Sequence, residues 1–210
     1  MLYLYIVRHG ETEWNKEGRI QGRLNSNLTP MGKKYATRLG ERLKDTEFAH
    51  IISSPSGRTL ETVQLIKGQR NIPIMTDERI MEMNLGSWQG MKKDELKKRF
   101  PNEFEHFINK PDDHQIEGAE SLTEMSNRAT EFLTELKKSR DNGNLLVVTH
   151  GRFISALYAV FKGVELKDIW AGPTVQGTSL TIVKLNQEQY EVLLEADMSH
   201  VHGAETIIRS

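Results

Sequence analysis

Residues 4–15 read LYIVRHGETEWN, and residues 145–151 read LLVVTHG. Each is an apolar run that stops abruptly, the first at Arg8-His9-Gly10 and the second at Thr149-His150-Gly151. A short continuous run of Leu, Ile and Val is the pattern of a strand buried on both faces, as in a parallel sheet covered by helices. In open α/β sheets, ligands bind beyond the carboxyl ends of the strands. Both His-Gly pairs fall at such an end, and glycine there lets backbone approach a ligand closely. If the two strands are neighbours, the two imidazoles face one pocket.

Outward from these runs, strand and helix patterns alternate. Thr29-Pro30 predicts the N-cap and first residue of a helix, with Met31, Tyr35, Leu39 and Leu43 as its apolar stripe. HIISS (50–54) reads as a second strand. It turns at Ser54-Pro55-Ser56 into a helix with Leu60, Val63 and Ile66 on one face. IPIM (72–75) reads as a short strand. Ser121-Leu122-Thr123-Glu124 is a capping box opening a helix to about Arg140. Asn142-Gly143 turns into the NLLVV strand, and Gly151 to Phe161 reads as a helix. SLTIVKL (179–185) and YEVLLEA (190–196) pair as a hairpin around Asn186-Gln187-Glu188. Between Gly86 and Glu120 the composition shifts to Lys, Glu and Asp, with Phe100, Phe104 and Phe107 at helical spacing, a stripe suited to packing a lid. The pattern predicts an α/β fold. It is a single three-layer domain over 1–210, a mostly parallel central sheet with helices on both faces and a helical lid insertion at about 86–120.

Composition narrows the function. Of 210 residues, 37% are hydrophobic and 27% charged, with a formal net charge of -1. That balance argues against nucleic acid or an anionic membrane as partner. There is no cysteine, which excludes disulfides and thiolate metal sites and fits a reducing cytoplasm. Met1 to Val7 lacks a basic start and a small-residue cleavage site, so neither a signal peptide nor a membrane span is expected. His200-Val201-His202 puts two imidazoles on one face of a strand, but without an evident third ligand no metal site is expected. The run Lys92, Lys93, Lys97, Lys98, Arg99 is interrupted by acids and reads as a solvated face.

Arg58 comes from a third strand end, in the first turn of the helix after HIISSPS. A cation there is unfavourable by roughly 0.3–1 kcal/mol, and a bound anion reverses the sign. Arg8, Arg58 and two helix N-termini thus converge on one end of the sheet as a phosphate site. Neither a Walker motif nor G-x-G-x-x-G is present, so the phosphate is not held by a glycine loop.

RHGETEWN (8–15) resembles the signature of the histidine phosphatase superfamily, in its phosphoglycerate-mutase-like branch. GRIQG (18–22) with NLTPMGKKYA (27–36), SSPSGRTLET (53–62), EMNLGSWQG (82–90), GAES (118–121) and VVTHG (147–151) resemble its further segments, in order. The resemblance implies that His9 is the nucleophile that takes the phosphoryl group, as a neutral imidazole needing no separate base. It implies that Arg8, Arg58 and His150 surround the phosphoryl oxygens. Asn15 and Gln21 donate further hydrogen bonds, and Gly22 and Gly151 border the substrate. Glu82 protonates the leaving alcohol. An ordinary glutamate is in its acid form in only on the order of 1 molecule in 500 at pH 7, so the phosphate dianion and the apolar neighbours Met81 and Met83 are expected to favour that form. Glu11, Glu13 and Glu78 are close in sequence and remain alternatives for the acid.

The implied activity is hydrolysis of small phosphate monoesters by a broad-specificity phosphatase through phosphohistidine, with no metal and no cofactor. The alternative is a bisphosphoglycerate-dependent phosphoglycerate mutase. A catalytically dead phospho-ligand binder is opposed by the intact set Arg8, His9, Arg58, Glu82, His150. Mutases of the family are generally longer, with a proline-rich insert between the acid and the second histidine and a longer C-terminal tail. Here that interval holds only Pro101 and Pro111, which favours the hydrolase. Asn25, Asn27, Gly57 and Arg152 depart from the family's common residues. Arg152 reads either as added positive charge in the substrate pocket or as a solvated side chain.

Overall fold

The computed structural model describes residues 1–113, 116–139, 142–186 and 189–201. The chain opens with β1 (Leu2–Arg8) and a short helix α1 (Glu13–Lys16). Helix α2 (Pro30–Arg42), β2 (Phe48–Ser53), α3 (Gly57–Lys67) and β3 (Ile74–Thr76) follow. The lid segment holds α4 (Lys93–Arg99) and α5 (Pro101–Asn109). Then come α6 (Leu122–Lys138), β4 (Gly143–Thr149), α7 (Gly151–Lys162), β5 (Leu180–Leu185) and β6 (Tyr190–Asp197). The expected hairpin is β5 and β6; its tip at Gln187-Glu188 lies outside the described residues, as does Arg140.

The strands form one six-stranded sheet in the order β3-β2-β4-β1-β5-β6. β3, β2, β4 and β1 run parallel, while β5 pairs antiparallel with β1 and with β6. β1 and β4 are direct neighbours in register, with Arg8 opposite Thr149. The two His-Gly ends therefore lie side by side.

Both faces of the central strands are covered, which is why their sequences are continuous apolar runs. Leu4 and Ile6 of β1 and Leu145 and Val147 of β4 pack with α6, α7 and the lid. Val7, Leu146 and Val148 pack on the opposite face with α2 and α3. Alternate residues thus serve two cores, and the three-layer expectation holds.

Helix α2 buries the expected stripe only at Leu39 and Leu43; Tyr35 is half-buried. Its buried face is Gly32, Ala36, Leu39 and Gly40, continued by Leu43, while Met31 is exposed. The physical reason is close backbone approach. A Cβ on Gly32 would lie 2.2 Å from the Glu11 carbonyl oxygen, and one on Gly10 would lie 2.9 Å from the Gly32 oxygen. Two glycines let the loop after β1 cross the start of α2, so the face that matters is the smallest, not the most hydrophobic. Thr29 caps α2 as expected, accepting from the Gly32 N–H. Ser121 and Glu124 form the capping box of α6.

In the lid, Trp88 stacks on Phe104 and meets Phe107 edge-on. Phe107 and Leu96 are fully buried and continuous with the main core. The lid is anchored through its aromatics rather than lying loosely on the sheet.

Candidate active site

A cavity of about 620 Å³ opens beyond the carboxyl ends of β1 and β4. Arg8, His9, Asn15, Gln21, Gly22, Arg58, Glu82 and Gly151 line it, as do Arg19, Lys93, Arg152 and Trp170.

His9 leaves β1 at its last ladder bond, its N–H donating to the Thr149 carbonyl. Its Nδ1 lies 2.8 Å from the Gly10 carbonyl oxygen. A carbonyl only accepts, so Nδ1 carries the proton and Nε2 keeps its lone pair for the cavity. Burial, with Arg58 and Arg8 nearby, holds the His9 pKa well below its ordinary value. The Thr178 N–H donates to the Arg8 carbonyl, and the Thr178 hydroxyl lies 3.0 Å from His200 Nε2. His200 is thus in a turn after β6 serving the backbone of the site. Its proposed strand partner His202 lies outside the described residues. Among the described residues no cluster of three His, Cys, Asp or Glu side chains is placed to hold a metal ion.

Two guanidiniums flank the cavity. Arg58, at the start of α3, donates to the Leu24 and Gly22 carbonyls and to His150 Nδ1. Burial pushes its pKa down to about 10, with Glu82 opposing the shift. Arg8 donates to the Val175 carbonyl at 2.6 Å, and burial lowers its pKa as well. The Nε atoms of both are buried without a hydrogen-bond partner. Gly151 lies against Arg8: a Cβ there would be 3.4 Å from Arg8 Nε.

His150 is placed differently from the expectation. It is 1% exposed and does not line the cavity. Its ring meets that of His9 edge-on at 5.3 Å between centroids. Because guanidinium only donates, Nδ1 accepts from Arg58, and the Nε2 proton goes to the Ser54 hydroxyl at 2.8 Å. Both ring nitrogens are engaged by the protein, so His150 sits behind Arg58 and fixes it. Ser54, read from the sequence only as a turn residue, completes this chain.

Asn15 Oδ1 accepts from the N–H and hydroxyl of Thr12, which leaves Nδ2 to donate. Gln21 Nε2 donates to Thr12 Oγ1, and its Oε1 is buried without a partner. Glu82 is the only carboxylate lining the cavity among the described residues. Its surroundings are not the apolar ones expected. Met83 is buried in the core, but the carboxylate accepts from the Met83 and Phe153 N–H groups, the latter at the start of α7. Glu11 instead accepts from the Thr29 hydroxyl at the start of α2. Glu11, Glu13 and Glu78 do not line the cavity.

Arg152 is half-buried and lines the cavity. Its guanidinium lies 4.5 Å from the Phe107 ring centre and 4.7 Å from that of Trp170. Lys93, expected to belong to a solvated face, instead lines the cavity; Arg19, within GRIQG, and Trp170 line it as well, and no motif in the sequence assigns either of them a role.

Buried neutral histidines make stability depend on pH. His9 and His150 both have pKa values held well below the ordinary one, by burial first and then by Arg58. Once unfolded, both titrate near pH 6.5. Below that pH the unfolded chain takes up protons that the folded one does not, so stability falls as pH falls. Each histidine contributes a loss approaching about 1.4 kcal/mol per pH unit. Urea midpoints are expected to drop between about pH 7 and about pH 5.5; a flat midpoint would contradict the burial of both imidazoles.

The sequence over residues 4–197 matches the histidine phosphatase superfamily (branch 1). Phosphoserine phosphatase 1 of Hydrogenobacter thermophilus is 36% identical over 171 residues, 81% of each chain. A probable phosphoglycerate mutase of Salmonella choleraesuis is 31% identical over 208 residues, 96% of this chain and 95% of that one. The solved structure of Bacillus stearothermophilus YhfR is 39% identical and superposes with a TM-score of 0.92, covering 96% of this chain and 100% of that one.

Proposed function

We propose that this chain, which belongs to branch 1 of the histidine phosphatase superfamily, cleaves small phosphate monoesters with His9 as nucleophile and Glu82 as proton donor. The superfamily acts through a phosphohistidine intermediate. The observation that carries the assignment is the His9 tautomer: the Gly10 carbonyl fixes the proton on Nδ1, which leaves Nε2 as a lone pair between two guanidiniums.

In the first step the Nε2 lone pair attacks phosphorus and the P–O ester bond breaks. Glu82 delivers its proton to the departing oxygen, and the alcohol leaves. Arg8 and Arg58 face the equatorial oxygens with fixed N–H donors, which stabilises the charge spread over them in the transition state. Asn15 Nδ2 and the remaining Gln21 N–H add neutral donors. In the second step Glu82, now a carboxylate, takes a proton from water as its oxygen attacks phosphorus. The P–N bond breaks, and phosphate and neutral His9 are regenerated. His150 acts as a positioning residue, holding Arg58 through Nδ1 and held in turn by Ser54.

The relative named a probable phosphoglycerate mutase matches over most of both chains, which gives the mutase reading its weight. A mutase must shield phosphohistidine from water until an acceptor hydroxyl arrives. This cavity is lined by five cationic side chains and a carboxylate, groups that carry water with them, so the hydrolase is the better reading. The expected result is steady phosphate release from several monoesters, and little conversion of 3- to 2-phosphoglycerate in a coupled enolase assay, with or without 2,3-bisphosphoglycerate. Bisphosphoglycerate-dependent mutase turnover far above hydrolysis would replace this reading with the mutase. No described helix is long and apolar enough to cross a membrane.

A further inference from the structure

Glu82 is carried by a stretch without regular structure. Residues 81–84 lie in neither helix nor strand, so no ladder fixes the backbone from which the proton donor projects. The hydrogen bonds of this stretch go instead to an ion pair that does not line the cavity: Glu120, just before the N-cap of α6, and Arg128 within α6. Arg128 Nη1 donates to the Arg79 carbonyl and, at 2.7 Å, to the Met81 carbonyl. Its Nε and Nη2 donate to the two oxygens of Glu120. Glu120 Oε2 accepts from the Asn84 N–H at 3.2 Å, and the Glu120 N–H donates to the Asn84 carbonyl at 2.9 Å. The backbone is therefore held directly before Glu82, at Met81, and shortly after it, at Asn84.

The pair also reaches the carboxylate of Glu82. The Arg128 guanidinium lies 4.8 Å from the Phe153 ring centre, and the Phe153 N–H donates to Glu82 Oε1. Both the root and the tip of the Glu82 side chain thus rest on residues in contact with Arg128. Stability alone explains such a pair poorly. The two side chains are 12% and 8% exposed, and taking two charges out of water offsets most or all of their attraction. What a guanidinium fork supplies is direction, because its donors are fixed in one plane. A lysine there would keep the charge and lose the fork.

We propose that Glu120 and Arg128 are positioning residues for proton transfer, holding Glu82 where its proton meets the departing ester oxygen. The proposal rests on the reading of Glu82 as the acid. A misplacement of about 1 Å costs on the order of 10²-fold in rate when the group must deliver a proton. It costs little when the leaving group needs none. The pair is thus required for poor leaving groups and dispensable for good ones.

The test measures kcat/KM for glycerol 3-phosphate and for p-nitrophenyl phosphate in the unmodified protein, Glu82→Gln and Arg128→Lys. This parameter reports the step in which the alcohol leaves, not the later hydrolysis common to both substrates. Both values come from one preparation, so a loss of folded protein leaves their ratio unchanged. The ratio of glycerol 3-phosphate to p-nitrophenyl phosphate is expected to fall at least about ten-fold in Arg128→Lys. In the Glu82→Gln background the same substitution is expected to change the ratio by less than about three-fold, since the proton it directs is already gone. A ratio in Arg128→Lys within about three-fold of the unmodified protein overturns the proposal and leaves the pair a structural role only. A fall of equal size with and without the Glu82 carboxylate overturns it too. Glu120→Met/Arg128→Met removes both charges together and leaves neither buried alone; should Arg128→Lys fail to fold, the ratio in this double variant decides in the same way. If Glu82→Gln leaves the ratio unchanged, the reading of Glu82 as the acid has failed and the proposal falls with it. If Glu82→Gln lowers the ratio and Arg128→Lys does not, only the positioning role falls.

Discussion

Replacement of His9 by alanine is expected to lower kcat by on the order of 10⁴-fold or more, because no other group near the cavity supplies the covalent intermediate. His150 is the nearest imidazole, but it is 1% exposed and both of its nitrogens are taken by Arg58 and Ser54. It cannot substitute without dismantling the arginine it holds. The measurement is single-turnover phosphate release alongside trapping of labelled phosphoenzyme. The label is expected on His9, stable in alkali and lost in acid. Label on a serine, or full activity in the variant, would remove His9 from the nucleophile's role.

Glu82→Gln is expected to separate substrates by leaving group. The variant cannot deliver a proton, yet its amide oxygen can still accept from Met83 and Phe153 as the carboxylate does. Its placement therefore survives while its chemistry does not. Substrates with an alkoxide leaving group, such as glycerol 3-phosphate, are expected to lose roughly 10²–10⁴-fold in kcat. p-Nitrophenyl phosphate, whose leaving group needs little protonation, is expected to lose far less. Equal losses on both would exclude Glu82 as the acid. Glu11 and Glu13 do not line the cavity, so the proton would then have to come through water.

The sheet and its chemical end were legible early because they rest on local physics. A strand buried on both faces must be apolar throughout, and Leu2 to Val7 and Leu145 to Val148 are. A polar group ending such a run has to be satisfied or used, which singled out His9 and His150. Capping also depends only on near neighbours, and Thr29 and Ser121 stand where their side chains say. On α2 the expected stripe holds at Leu39 and Leu43 but not at Met31, because hydrophobicity counts large residues, whereas the crossing with the loop after β1 needs a small one at Gly32 and the contact with α3 another at Gly40.

By itself, then, the sequence determined which strands are buried, where they end, and which histidines and arginines stand at those ends. Those properties follow from side-chain period and short-range hydrogen bonding. Only the tertiary structure decided how the ends are wired. It turned His150 onto Arg58 and Ser54 and away from the cavity, surrounded Glu82 with the N–H groups of α7, and separated it from Glu11, Glu13 and Glu78. It also carried Phe107 from the lid and Trp170 from the loop after α7 against Arg152. Such contacts join residues tens of positions apart, and no local spacing encodes them. They are set by the packing of whole layers, which fixes side-chain directions only once the chain has closed on itself.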